Sequence, residues 1–295
     1  AFLAALEERF FIETLETERR QQSKDGTVKY LFRLPDGNCI ETVLMRYSYG
    51  NTVCVSTQVG CRMGCRFCAS TQGGRVRNLT AGEIANEVYA AARDTGERVS
   101  HIVLMGIGEP LDNFDHVMDF LSIISSPNGV NIGMRNISLS TCGLVPMIYK
   151  LAERHLGLTL SVSLHAPTDE MRSSMMPVND VYPVEQLIRA CRDYQQETGR
   201  RVSFEYSMVN GVNDSPQTAR RLAQLIKGMG AHVNLIPINP VDGSPYSATD
   251  AANVKRFQTL LTELGVNATV RRRLGTDISA ACGQLRREAK GGTTA

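Results

Sequence analysis

Cys61, Cys65 and Cys68 read Cys-x-x-x-Cys-x-x-Cys and carry the strongest chemical signal in the chain. Three thiolates at this spacing can hold three irons of a [4Fe–4S] cluster and leave the fourth iron open to an external ligand. A structural zinc site wants four ligands, usually in Cys-x-x-Cys pairs, and no second pair or neighbouring histidine follows. Phe67, just before the last cysteine, adds to the iron–sulfur reading. Gly106-Ile107-Gly108-Glu109-Pro110 offers a turn whose backbone can approach a ligand closely, with Glu109 able to accept from an ammonium. Taken alone, that segment reads equally as a plain strand-to-helix loop. Ser140 and Ser163 end apolar stretches, where each hydroxyl wants a ligand contact or a helix to cap. His165 reads as a contact through its backbone or ring in preference to a base. Asn239 offers an amide to a ligand's ring or sugar, or a turn before Pro240. Cys282, among Ala280, Ala281 and Gly283, is an accessible thiol: a nucleophile open to alkylation, or a free cysteine in a tail. Cys54 is either core or a redox partner for Cys282. Cys39, Cys142 and Cys191 have mainly structural readings.

Such side chains need a scaffold, and the composition supplies one. The chain has 295 residues, 42% of them hydrophobic, enough for one large α/β domain with a small appendage. No apolar run reaches the roughly 18 residues of a membrane span, and no secretory signal is visible. Eight cysteines in a chain of this length do not make a disulfide scaffold, and cluster ligands want a reducing compartment, so a cytoplasmic location is expected. The net charge of +2 does not by itself point to nucleic acid. Two basic clusters say more: Arg62, Arg66, Arg75 and Arg77 around the cysteine loop, and Arg271, Arg272, Arg273, Arg286 and Arg287 around Cys282. They read either as seats for phosphates or as solvated surface arginines. The sequence opens Ala1-Phe2-Leu3 without an initiator methionine, and missing N-terminal residues are expected.

Apolar Leu3, Leu6, Phe10 and Leu15 predict a helix over residues 2–21. Two strands around Pro35-Asp36-Gly37-Asn38 predict a β-hairpin over 28–46. From residue 52 onward strands and amphipathic helices alternate. The strands fall at 53–56, 101–106, 136–141, 158–165, 202–209, 232–238 and 267–272. The helices fall at 81–95, 114–125, 145–155, 183–199, 215–229 and 253–264. Repeated strand–helix units imply a parallel sheet with helices outside, too few for a closed eight-fold barrel. The expected fold is an α/β, partial (β/α)6-type barrel with an N-terminal helix and β-hairpin module. Its divisions are an accessory module over 1–47, a core over 48–275 and a C-terminal segment over 276–295 whose end is disordered. Each candidate loop then follows the C-terminal end of a strand, where such folds place their chemistry.

Together these segments resemble the RlmN/Cfr family of radical S-adenosylmethionine (SAM) RNA methyltransferases. The likeness runs through 53–61, 77–80, 105–111, 139–143, 162–167, 234–237 and 281–285. It implies a radical SAM barrel in which Cys61, Cys65 and Cys68 ligate a [4Fe–4S] cluster. Gly108, Glu109, Ser140, Ser163, Leu164, His165 and Asn239 would bind SAM. Cys282 would become S-methylated, Cys54 would resolve the intermediate, and Glu41 would be the general base; by sequence alone Glu41 reads as a solvated strand glutamate. The implied route methylates Cys282 with one SAM and cleaves a second to a 5′-deoxyadenosyl radical. A covalent protein–RNA adduct follows, and release leaves a Cys54–Cys282 disulfide for an external reductant to reset. The implied substrates are one adenosine of 23S rRNA at C2 and adenosine 37 of some tRNAs, with a low-potential donor such as flavodoxin and a monomeric enzyme. Leu139–Gly143 and Phe204-Glu205-Tyr206 resemble the C2-methylating RlmN branch, whereas Ser279 also occurs in the C8-methylating, resistance-conferring Cfr branch. A radical SAM enzyme with a non-RNA substrate is a further alternative, one that would not need the Cys54/Cys282 pair.

Overall fold

The structure, a computed structural model, describes Ala5, Arg9 and residues 14–238, 245–275 and 277–278. Among these residues the frame is one ten-stranded sheet. Its first four strands, β1 (Glu16–Gln22), β2 (Val28–Arg33), β3 (Cys39–Tyr47) and β4 (Gly50–Cys54), pair antiparallel in chain order. From β4 onward every neighbour is parallel. The series runs through β7 (Val99–Leu104), β8 (Ile137–Thr141), β9 (Thr159–Ser163), β10 (Val202–Met208), β11 (His232–Pro237) and β12 (Asn267–Val270). A separate ribbon pairs β5 (Gln58–Gly60) with β6 (Arg75–Asn78). The crossovers are α1 (Ala81–Thr95), α2 (Phe114–Ser125), α3 (Val145–Ala152), α4 (Asp169–Met175), α5 (Val184–Thr198), α6 (Pro216–Leu225) and α7 (Ala251–Glu263).

The strand period of two decides which face does what. Ile137, Leu139, Leu160, Val162, Val202, Phe204, Tyr206, Val233 and Leu235 join one core cluster with the helices outside the sheet. The alternate positions, Ser140, Ser163, Glu205 and Ile236 among them, line a cavity on the inner face. A closed eight-stranded barrel fills its interior with branched apolar side chains. Here seven parallel strands leave the interior open and partly polar, room for a ligand. Local signals set the helix ends. Thr80 and Glu83 form a reciprocal capping box at the start of α1, and Gly96 ends it in the left-handed conformation.

The parallel strands and their main helices fall where the sequence places them, whereas the expected helix over 2–21 does not hold across 16–22. That stretch is the edge strand β1, hydrogen-bonded to β2 from Glu16↔Arg33 to Gln22↔Val28. Its Glu-Thr-Glu-Arg-Arg-Gln-Gln run favours helix locally, and the open edge of β2 overrides that preference. The hairpin strands continue directly into the barrel sheet through the pairing of β3 with β4. At the other end, the chain leaving β12 reaches back to the turn between β1 and β2. Gly275 N donates to Asp25 Oδ2 at 2.8 Å, and Asp277 accepts from Ser23 Oγ and from Lys24 N. Just before these anchors, Leu274 packs against the cluster of Cys54, Val43 and Met45. Asn239, Cys282 and the tail beyond residue 278 lie outside the described residues.

Candidate active site

The cysteine loop hangs from the β5–β6 ribbon, whose register pairs Gln58 with Asn78 and Gly60 with Arg75. Cys61 N donates to Gly74 O at 3.1 Å and closes the loop's neck. Inside it, Thr71 Oγ1 donates to the carbonyls of Cys65 and Cys68, which fixes the second half of the motif. Asp112 gathers Arg62, Arg75 and Gln58 at the base. Arg77 is likewise held, by Asp36 and Glu83. Three of the four arginines around this loop therefore hold carboxylates and build the loop's frame.

All three cysteines line one cavity. Burial pushes the Cys61 thiol up to about 12 and raises that of Cys65 as well, with the neighbouring thiols adding to both. Clustered, buried sulfurs cannot ionise together without a compensating cation. Iron supplies one, so the donor set fits a cluster. Among the described residues no three His, Cys, Asp or Glu side chains converge on a single metal ion. A four-iron cubane takes one thiolate per iron and needs no such convergence.

Across the cavity stands the loop after β7. A Cβ on Gly106 would lie 2.5 Å from Val55 O, and one on Gly108, at φ +116°, 2.8 Å from Gln58. Both glycines thus let this loop lie against the chain leaving β4, where Gly106 N donates to Val55 O and Thr57 N to Ile107 O. Glu109 is 3% exposed. Its Oε2 accepts from Cys142 N at 2.7 Å and its Oε1 from Leu111 N at 3.1 Å. Burial raises its pKa and those backbone donors oppose the rise. Thr141 and the Cys142 thiol add side-chain hydrogen bonds, and a ligand ammonium in the cavity would further favour the ionised state.

Ser140, Ser163 and His165 line the same cavity with Glu109 and Gly108. His165 has a left-handed backbone, φ 57°, worth about 1–2 kcal/mol of strain in a non-glycine residue. Three bonds hold it: its N–H donates to Glu205 O, its carbonyl accepts from Asn213 Nδ2, and its Nδ1 accepts from Ser207 N at 2.9 Å. Nδ1 is therefore the acceptor and Nε2 carries the proton. Burial lowers the imidazole to about 3, so a neutral donor edge stands against Phe67, whose ring centroid is 4.9 Å away. Leu164 is placed differently. Its side chain belongs to the outer core, its N–H donates to Glu205 O, and its carbonyl accepts from Ala166 N and Arg172.

Two residues that sequence reasoning did not place at the site stand out. Glu205 lines the cavity, buried, with Asn234 Nδ2 donating to it at 2.8 Å; burial raises its pKa while Arg271 opposes. Arg172 is fully buried. Its guanidinium donates to the carbonyls of Cys142, Ser163 and Leu164 and to Asn179 Oδ1, so one side chain ties the loops after β8 and β9 together. The one available signal was an arginine just after a strand end, in a helix only seven residues long.

Cys54 and Glu41 sit on the inner face of the sheet. Cys54 is buried among Val43, Met45, Val103, Met105 and Leu274, and Met105 also lines the cavity. Glu41 is not solvated: it is 3% exposed, with Lys29 Nζ 3.0 Å from its carboxylate. No disulfide joins any two of the described cysteines, and Cys282, the expected partner of Cys54, lies outside the described residues.

A family profile described as the Radical SAM superfamily matches residues 55–223. A Desulforamulus reducens protein named probable dual-specificity RNA methyltransferase RlmN is 57% identical, over 90% of this chain and 76% of its own length. A Clostridium botulinum protein of the same name is 52% identical, over 97% of this chain and 83% of its own. The crystal structure of a radical SAM methyltransferase from Sphaerobacter thermophilus matches with a TM-score of 0.92 at 49% identity, covering 96% of this chain and 84% of that one. With the cysteine loop and its facing wall lying inside the matched region, the chain belongs to the radical SAM superfamily and, within it, to the RlmN family.

Proposed function

We propose that this chain methylates C2 of an adenosine in 23S rRNA and of adenosine 37 in some tRNAs, through an S-methylated Cys282. The observation that carries the reading is Cys54. It is a buried thiol on the inner face of the barrel, in a small cluster with Val43 and Met45 against which Leu274, just before the segment that bears Cys282, also packs. An enzyme acting on a non-RNA substrate would have no use for that second thiol. The names of the relatives support RNA as substrate and both specificities.

Cys61, Cys65 and Cys68 would hold the cluster, and Gly108, Glu109, Ser140, Ser163, Leu164, His165 and Asn239 would bind SAM, Leu164 through its backbone. When bound, the two supply reductive cleavage of SAM to a 5′-deoxyadenosyl radical. This chain's own residues do the rest. The Cys282 sulfur accepts a methyl group and later carries the one-carbon bridge to the adenine. Glu41 takes the ring proton. The Cys54 thiolate attacks the Cys282 sulfur, and the S–C bond breaks with its electron pair passing to the bridging carbon and base. The carbon then takes up a proton as the methyl group of the freed base. The target adenosine must leave its stack to enter the cavity, at a cost of a few kcal/mol that is smallest in a loop. An accessory module over 1–47, a core over 48–275 and a C-terminal segment over 276–295 belong to the same proposal. So do a cytoplasmic setting, a monomer and a low-potential electron donor of the flavodoxin kind.

The test is mass spectrometry of nucleosides from 23S rRNA and tRNA after anaerobic reaction with cluster-loaded protein, SAM and reductant. 2-Methyladenosine that disappears in Cys282→Ala supports the reading. 8-Methyladenosine would move the chain to the C8 branch. SAM cleavage that yields no methylated adenosine would sink the RNA assignment.

A further inference from the structure

Lys29 is 0% exposed and its Nζ lies 3.0 Å from Glu41 Oε2. The register of β2 on β3 pairs Lys29 with Val43 and Leu31 with Glu41, so lysine and glutamate are diagonal neighbours on the inner face. Val43 and Met45 on that face enclose Cys54. A buried ion pair is weak support for stability, because two well-packed apolar residues usually serve as well or better. A buried pair at this spot, where Val43 alone separates the lysine from the thiol of the proposed resolving step across the strands, points to a role in the chemistry.

We infer that Lys29 is the positioning residue for Glu41, holding its carboxylate aimed for removal of the ring proton. The inference rests on the reading of Glu41 as the base. In that step the ring C–H bond breaks, its electron pair stays with the ring, and the proton passes to a Glu41 oxygen; no oxidant or reductant enters. The ammonium supplies the positive neighbour that a carboxylate out of water needs. The other ionisable groups that the strand registers place along this face include Glu16 and Cys39, each opposite Arg33, Arg19 opposite Leu31, Tyr47 on β3, Cys54 on β4 and His101 opposite Thr52.

The test compares Lys29→Met with Glu41→Gln in cluster-loaded protein, following methylation of Cys282, the protein–RNA adduct and its resolution. Lys29→Met is expected to methylate Cys282 normally and to resolve the adduct at least about tenfold more slowly at pH 7, or about 1.4 kcal/mol. Lys29→Arg, which keeps a cation beside Glu41, should recover much of that rate. Glu41→Gln should hold its adduct. Lys29→Gln carries the same expectation as Lys29→Met if Lys29→Met does not fold. Normal resolution at pH 7 in folded Lys29→Met or Lys29→Gln overturns the inference and leaves Glu41 as base. Normal resolution in Glu41→Gln removes Glu41 from that role. A Lys29→Arg variant as slow as Lys29→Met would mark Lys29 as structural only.

Discussion

Replacing Arg172 tests whether one buried guanidinium assembles the SAM-facing loops. Of its four acceptors, Leu164 O also accepts from Ala166 N and Ser163 O ends a paired strand. Cys142 O and Asn179 Oδ1 have no other donor among the described hydrogen bonds. Arg172→Met fills most of the space and strands those two acceptors. Each buried unsatisfied acceptor costs about 1–3 kcal/mol, so the variant should lose about 4 kcal/mol of stability. The loop it releases carries Cys142 N, which donates to Glu109 Oε2 at 2.7 Å. Affinity for SAM should therefore fall at least about tenfold, or about 1.4 kcal/mol. Arg172→Lys reaches one acceptor and should lose about half as much stability. Urea unfolding gives the first quantity, and equilibrium dialysis of SAM against cluster-loaded protein the second. Stability within about 1 kcal/mol of the parent, with unchanged SAM affinity, would refute the assignment of Arg172 as the tie between these loops.

Gly106→Ala sets a methyl against backbone that cannot swing aside, so it should lose about 1–3 kcal/mol in thermal unfolding and slow SAM cleavage. Cys65→Ala should keep its far-ultraviolet dichroism while bound iron and SAM cleavage fall to background; retained iron would refute the ligand set. The His165 imidazole, lowered to about 3 in the fold against 6.5 unfolded, should show no NMR titration between pH 8 and 5. Because its folded value is depressed, the unfolded chain binds more protons between those limits. Its stabilising share is full above 6.5 and is lost as pH falls toward 3, and His165→Gln should flatten that part of the stability curve.

The alternation of apolar strands and amphipathic helices after residue 50 was legible because each parallel strand turns every second residue onto the outer core. The cysteine loop was legible because its spacing is local. What failed shares one cause. Sequence reading treats a charged residue in a strand as facing water, yet the inner face of an open barrel is dry without being apolar. Lys29, Glu41 and Glu205 all stand on that face and passed as surface or went unplaced. Arg172 passed for the same reason, since its partners are carbonyls from distant loops that no spacing reveals. The edge strand β1 was lost to the helical preference of its own residues, and the β5–β6 ribbon is too short to show a period.

The bonds from Gly275 to Asp25 and from Asp277 to Ser23 join positions 250 and 254 apart in the chain. A ribosome adds about 5–20 residues per second, so the cysteine loop emerges roughly 10–40 s before its strap can close. For that interval the ribbon, the loop and much of the facing wall can fold around iron while the mouth stands open. A chain stopped after Val270 should accordingly take up iron as well as the full chain does, and failure to do so would undo this order of events. Cluster insertion can thus precede closure of the strap, and the thiol proposed to carry the methyl group is synthesised after the residues of both.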